Sequence, residues 1–278
     1  MRMILNRTIS FPLILSLLAA CNNAGPHNSE TTGPSADNSP ANIDYIVMKV
    51  LPHDTTAFTE GLLFHDGQLY ESTGTDTNMP ASRRSLFGTI DTITGQIHPK
   101  VEIDRNKYFG EGIAFLNGKV YQLTYTTKVG FIYDAKTFKK LGEFTFPTRE
   151  GWGMTTNGTK LIMSDGTSNI TYLDPNTFQV VKTLAVTDNN GPVSNVNELE
   201  LIHGYLYANQ WQTNYILKID TSSGKVVGRL DLESIAAEAR NKYSGSEVLN
   251  GIAYNPASGL LYVTGKLWPN IYEISVRL

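Results

Sequence analysis

Glu111-Gly112-Ile113-Ala114-Phe115, followed at once by Asn117-Gly118-Lys119-Val120-Tyr121, is a phrase this chain repeats. Thr59-Glu60-Gly61-Leu62-Leu63-Phe64 runs into Asp66-Gly67-Gln68-Leu69-Tyr70, and Asn250-Gly251-Ile252-Ala253-Tyr254 into Ser258-Gly259-Leu260-Leu261-Tyr262. Weaker copies are Trp152-Gly153-Met154-Thr155 with Asn157-Gly158-Thr159-Lys160-Leu161, and Asn197-Glu198-Leu199-Glu200-Leu201 with His203-Gly204-Tyr205-Leu206-Tyr207. Aligned on Gly61, Gly112, Gly153, Leu199 and Gly251, the steps are 51, 41, 46 and 52 residues. Self-similarity at that period marks a repeat architecture.

Each copy reads as a buried strand, a Gly-containing turn and a second apolar strand such as Val120 to Thr126. A third strand follows, as in Gly130 to Asp134, Ile170 to Asp174, Ile216 to Asp220 and Asn270 to Ile274. After a polar turn a fourth leads out, as in Gln179 to Leu184. A unit of roughly 45 residues is too small for a core of its own. The pattern therefore predicts an all-β fold, a five-bladed β-propeller with four antiparallel strands per blade. The last copy stops after its third strand, so Tyr45 to Leu51 is expected to supply the missing outer strand and close the ring. Leu232 to Arg240, after Asp231 as N-cap, reads as a short surface helix. Asp188 to Asn195 reads as a polar, turn-rich insertion.

The chain of 278 residues begins with an export signal. Arg2 and Arg7 precede a short apolar run, Ile9 to Leu18, that ends in small residues. The run falls short of the ~20 residues of a membrane-spanning helix. Leu18-Ala19-Ala20-Cys21 resembles the lipobox of bacterial lipoproteins, which implies acylation of Cys21 and a lipid-held, exported protein. An ordinary signal peptide with a chance cysteine is the alternative. Asn22 rather than Asp follows Cys21, so a Gram-negative outer membrane is the default location. Residues 22–42 are polar and small and read as a flexible tether, leaving 43–278 as the folded part. Cys21 is the only cysteine, which excludes a disulfide framework and a cysteine metal site. The net charge of −3, without a Lys/Arg cluster, argues against a nucleic-acid partner.

In a propeller the first strand of each blade lines the central channel, so the repeated openings converge there. They bring Glu60, Glu111, Trp152, Asn197 with Glu198, and Asn250. Trp211 and Lys266 follow the second strands of blades 4 and 5 and reach one end of the channel. Polar groups there are costly to bury unless paired or used. Each also has a structural reading: Glu60 and Glu111 as caps on backbone amides, the tryptophans as packing between blades, Lys266 as a solvated side chain. His53, His65, His98 and His203 lie scattered in turn-like positions and no close-spaced ligand set appears, so no metal site is expected. No Gly-x-Ser-x-Gly and no phosphate-cradling loop is present.

Phe58 to Leu62, Phe109 to Ile113, Gly151 to Met154, Val196 to Glu200, Asn209 to Thr213, Leu249 to Ala253 and Val263 to Lys266 occur in that order. This set resembles the glutamine cyclotransferases of the plant and bacterial type, over essentially everything from Tyr45 onward. The resemblance implies a five-bladed propeller that cyclises the N-terminal glutamine of peptides or proteins to pyroglutamate, releasing ammonia without a cofactor. It implies Glu111 as the proton shuttle and Trp152 and Trp211 as pocket walls. Asn197 and Lys266 would hold the substrate amide and the developing charge. Glu60 stands where family members carry Gln or Glu; an acid there either binds the substrate ammonium or competes with Glu111 for the proton. Two other readings stay open, a non-catalytic tethered binding module and a metal-centred propeller hydrolase or lactonase, since a fold does not fix a function.

Overall fold

The computed structural model describes residues 39–79 and 84–277. In chain order β1 (Ala41–Asn42) and β2 (Tyr45–Pro52) come first. Blade 1 is β3 (Thr59–His65), β4 (Gln68–Thr73), β5 (Leu86–Ile90) and β6 (Ile97–Glu102). Blade 2 is β7 (Gly110–Leu116), β8 (Lys119–Thr124), β9 (Val129–Asp134) and β10 (Lys140–Thr145). Blade 3 is β11 (Met154–Thr156), β12 (Leu161–Met163), β13 (Asn169–Leu173) and β14 (Val180–Ala185). After the small hairpin β15 (Thr187–Asp188) and β16 (Gly191–Pro192) comes blade 4. It holds β17 (Val196–Ile202), β18 (Tyr205–Gln210), β19 (Tyr215–Asp220) and β20 (Val226–Asp231). Helix α1 (Glu233–Lys242) precedes β21 (Leu249–Asn255), β22 (Leu260–Gly265) and β23 (Asn270–Val276) of blade 5.

The predicted propeller is the observed fold. The first strands β3, β7, β11, β17 and β21 pack on one another in a closed cycle around the axis. β2 is the outer strand of blade 5, antiparallel to β23 with Tyr45 opposite Val276 and Pro52 opposite Asn270, so the N-terminal strand closes the ring. The apolar core is divided into five clusters, each shared by two neighbouring blades. Ile162 and Leu184 of blade 3, for example, pack with Leu199 and Leu217 of blade 4. No blade buries its own faces alone, which is why the repeats fold as a ring.

The recurrent phrase has a physical meaning in this frame. In β3, β7, β17 and β21 the pairing with the second strand slips at the phrase, between Thr59 and Gly61, Gly110 and Ile113, Val196 and Leu199, and Leu249 and Ile252. Such irregularities re-aim a side chain. Here they turn Glu60, Glu111, Asn197 and Asn250 out of the regular alternation. The glycine keeps neighbouring first strands close: a Cβ on Gly112 would stand 2.4 Å from Met154 N, and one on Gly153 2.3 Å from Asn197 O.

Several local expectations shift. The helix starts at Glu233 with Leu232 as N-cap; Asp231 sits one residue earlier, its carboxylate accepting the Glu233 N–H at 3.0 Å. Ile235, Ala236 and Ala239 bury the helix against blades 4 and 5. The insertion read as Asp188 to Asn195 forms most of the β15–β16 hairpin, whose pairing starts one residue earlier with Thr187 opposite Pro192. Pairing begins inside the stretch read as tether, since Ala41 and Asn42 lie parallel to Gly228 and Arg229 on the edge of blade 4. His65 ends β3 and His98 lies in β6, so two of the four histidines read as turn residues are placed in strands, while His53 lies in the loop after β2 and is buried. The leader, Cys21 and most of the tether lie outside the described residues.

Candidate active site

A cavity of ≈ 740 Å³ opens at one end of the axis. Glu60, Glu111, Trp152, Asn197, Trp211 and Lys266 all line it. Sequence positions as far apart as Glu60 and Lys266 meet there because the first strands converge and the second strands end on the same side.

Lys266 Nζ donates to Glu60 Oε1 at 2.6 Å, and Asn250 Nδ2 donates to Glu60 Oε2 at 3.2 Å. Lys266 is therefore not a solvated surface lysine; it is buried, with Nζ 4.5 Å from the centre of the Phe58 ring. Its backbone is fixed by N–H bonding to Val248 O at 3.0 Å, and the chain then turns through Leu267 at φ 60°. A left-handed leucine is a costly conformation, held by the Leu267 N–H bond to Ala57 O at 2.8 Å.

Glu111 is 4 % exposed and its Oε2 has no hydrogen-bond partner; the same holds for Asn197 Oδ1, at 3 % exposure. A buried polar atom left unpaired costs about 1–3 kcal/mol, a cost a ligand can remove. Burial, then the adjacent charge of Glu60, holds Glu111 well above the usual carboxylate range, with Lys266 pulling the other way. Burial also raises Glu60, against the pull of Lys266. At Glu111 burial outweighs the pull of Lys266.

The backbone at these residues is held from the preceding blade. Ser72 Oγ of β4 donates to Glu111 O at 2.6 Å, and Ser164 Oγ of blade 3 donates to Asn197 O at 2.7 Å. Gly112 N donates to Trp152 O at 2.8 Å, tying blade 2 to the tryptophan of blade 3. The Trp152 and Trp211 rings meet edge to face at 5.6 Å on the cavity wall. The two rings come from neighbouring blades, so they wall the cavity and also pack blade 3 on blade 4; Trp268, fully buried with Nε1 donating to Glu247 O at 2.9 Å, packs in the core shared by blades 4 and 5.

Glu198 and Asn250 leave the set of lining residues. Glu198 Oε2 accepts the Ile252 N–H at 2.9 Å, so the backbone-capping role considered for Glu60 and Glu111 belongs to Glu198. Phe58, Phe109, Tyr125 and Glu150 join the lining, although the sequence did not single them out as site residues. Phe58 and Phe109 stand directly before Thr59-Glu60 and Gly110-Glu111, a signal visible in the repeat. Glu150 carries none: it lies in a loop outside the repeated phrase, where its Oε2 accepts the Nε1–H of Trp152, two residues on, at 3.0 Å. Among the described residues no three His, Cys, Asp or Glu side chains are grouped to hold a metal ion.

Comparison with known proteins agrees with this geometry. Residues 14–276 match the family model described as glutamine cyclotransferase, a match that begins well before Tyr45. The chain is 36 % identical over 256 residues to an Arabidopsis thaliana glutaminyl-peptide cyclotransferase, covering 91 % of this chain and 78 % of the relative. The crystal structure of Myxococcus xanthus glutaminyl cyclase superposes with a TM-score of 0.76 at 32 % identity, over 85 % of this chain and 98 % of that one. With that match along nearly its whole length, the chain belongs to the glutamine cyclotransferase family.

Proposed function

We propose that this protein is a glutaminyl-peptide cyclotransferase, an acyltransferase that converts the N-terminal glutamine of a peptide or protein to pyroglutamate. The α-nitrogen bonds to the side-chain carbonyl carbon, the bond from that carbon to the amide nitrogen breaks, and a proton passes from the attacking nitrogen to the departing ammonia. Both reacting groups belong to one residue, so the enzyme supplies conformation, charge and proton transfer. None of these steps calls for a cofactor.

Trp152 and Trp211 hold the flat glutamine side chain in a ring-closing rotamer. Asn197 Oδ1 accepts a substrate carboxamide N–H, and the Lys266 ammonium stabilises the developing oxyanion. Glu111 shuttles the proton, giving it from one oxygen and taking it on the other. An unperturbed Glu near 4.3 is a poor match for an α-amine at about 7.7–8.0, and the upward push on Glu111 narrows that gap. Glu60, bonded to Lys266, keeps the negative charge and leaves the proton to Glu111.

The observation that supports this most directly is the buried, unpartnered Glu111 Oε2 beside the Glu60–Lys266 pair. The test is to incubate the purified protein with a Gln-initiated peptide and follow by mass the loss of about 17 Da as ammonia accompanies proton transfer. Unaltered peptide at high enzyme concentration overturns the reading. Export and lipid anchoring through Cys21 belong to the same proposal, with the outer membrane of a Gram-negative envelope as the location. Cys21→Ser should move the protein from the membrane to the soluble fraction; continued membrane association refutes the anchor.

A further inference from the structure

The cavity is larger than one glutamine requires. At ≈ 740 Å³ it lies among pockets that take drug-sized ligands. Its inner end is defined by Glu111 Oε2 and Asn197 Oδ1, both buried, unpartnered and part of the lining. Under the cyclotransferase reading the N-terminal glutamine fills that end, and its carbonyl carries the rest of the peptide toward the mouth.

The mouth is lined by Glu150, Asp165 and Glu247, with Arg149 as the opposing charge. Arg149 offsets little: its Nε stands 3.8 Å from Glu150 Oε1 and its side chain is 93 % exposed, the geometry of a weak surface pair. Asp165 spends only Oδ1 on the protein, accepting the Thr167 N–H at 3.0 Å and its Oγ1–H at 2.6 Å, which leaves Oδ2 for a ligand. Glu247 is exposed, and its carboxylate makes no hydrogen bond among the described residues. The outer carboxylates also act on the inner end, Glu247 on Glu60 and Glu150 on Glu111, so they share one field.

We propose that Asp165, Glu247 and the outer edge of Glu150 form a subsite for a positively charged side chain, Lys or Arg, at the second or third position of the substrate peptide. This rests on the cyclotransferase reading and adds a preference to it. A cleft lined by one sign of charge concentrates ligands of the other and speeds their encounter.

The experiment compares kcat/KM for three peptides that differ only after the N-terminal glutamine, carrying Lys, Ala or Glu at positions two and three. Wild type at low salt should favour the Lys peptide over the Glu peptide about three- to tenfold, with Ala between. The ratio should shrink toward one near 1 M salt, where the screening length falls to about 3 Å. In the double variant Asp165→Asn, Glu247→Gln the ratio at low salt should collapse. The carboxamide oxygen that Asp165→Asn leaves in place still accepts from Thr167, and the ratio is read within one enzyme, so a general loss of activity does not mask the result. Equal rates for all three peptides, or an unchanged ratio in the variant, overturn the subsite while leaving the cyclotransferase reading intact. Absence of cyclisation with all three overturns that reading and the subsite with it.

Discussion

Two buried ion pairs lie at the seam between blades 5 and 1, reached by adjacent residues of β3. Thr59 belongs to one and Glu60 to the other. In the first, His53 Nε2 sits 3.1 and 3.0 Å from the two oxygens of Glu71, Nδ1 sits 2.7 Å from Trp268 O, and Thr59 Oγ1 donates to Glu71 Oε1 at 2.7 Å. Both ring nitrogens and both carboxylate oxygens are engaged. In the second, the Lys266–Glu60 bond is as short as any in the site, yet Glu111 Oε2, Asn197 Oδ1 and Asn250 Oδ1 around it lack partners. A closed network has nothing left to offer a ligand. An open one at the wall of a cavity does, and the burial that makes its incompleteness costly also sharpens its chemistry. His53–Glu71 fastens the end of the closing strand to blade 1, whereas Lys266–Glu60 lies in the wall of the cavity.

The largest expected effect falls on the open network. Glu111→Gln should cut turnover by about 10²–10⁴-fold, the range lost with a proton-transferring group. Its melting temperature should hold or rise, because a buried acid is replaced by a neutral isostere. Full activity in that variant would remove Glu111 from the mechanism.

The closed network should respond in stability. Either His53→Gln or Glu71→Gln leaves a buried partner uncompensated and is expected to cost about 3–5 kcal/mol in denaturant unfolding. Turnover per folded molecule should be retained; a drop in turnover without destabilisation would erase the distinction between the two pairs. A pH dependence follows. Burial alone would depress the His53 imidazole, and the charge and hydrogen bond of Glu71 outweigh it, so its pKa is raised above 6.5. The folded state then holds the proton more tightly than the unfolded chain. The stabilisation is complete below 6.5 and is lost as pH rises through the folded value, and His53→Gln should flatten that decline.

Glu60→Gln tests how the open network tunes its acid. Without the Glu60 charge, the upward push on Glu111 weakens, and the limb of the pH–rate profile that reports Glu111 should move to lower pH. An unmoved limb would show that burial alone sets Glu111.

An effect confined to stability at neutral and alkaline pH is expected at Glu200, which burial raises to about 8 although its Oε1 accepts the Tyr254 N–H at 3.1 Å. Glu200 should weaken the fold as pH rises from 4.5 toward 8, since the folded state binds the proton more tightly. Glu200→Gln, which keeps the acceptor, should leave the denaturation midpoint unchanged at acid pH and raise it above about pH 8.

The repeat phrase was legible because its causes are local. Apolar runs, Gly turns and the spacing of Gly61, Gly112, Gly153 and Gly251 are enough to specify strands, their order and a ring that needs all of them. The departures from the repeat, Glu60, Glu111, Trp152 and Asn197, were legible for the same reason: they occupy the positions that must face the axis. Trp211 and Lys266 followed from their place after second strands. What each charge does was not legible, because it depends on partners distant along the chain. His53 finds Trp268, and Lys266 finds Glu60 206 residues away. Glu198, next to Asn197 in the same irregular strand, spends its carboxylate on the backbone of blade 5, while Asn197 keeps an unpaired oxygen in the cavity. Glu150 had no pattern to betray it.

Sequence alone therefore determined the propeller and six of the side chains that line its cavity, Glu60, Glu111, Trp152, Asn197, Trp211 and Lys266, because strand periodicity and repeat spacing are properties of neighbouring residues. Tertiary structure decided which buried groups are satisfied and which are left open, because pairing, desolvation and the field of nearby charges exist only once the ring has closed.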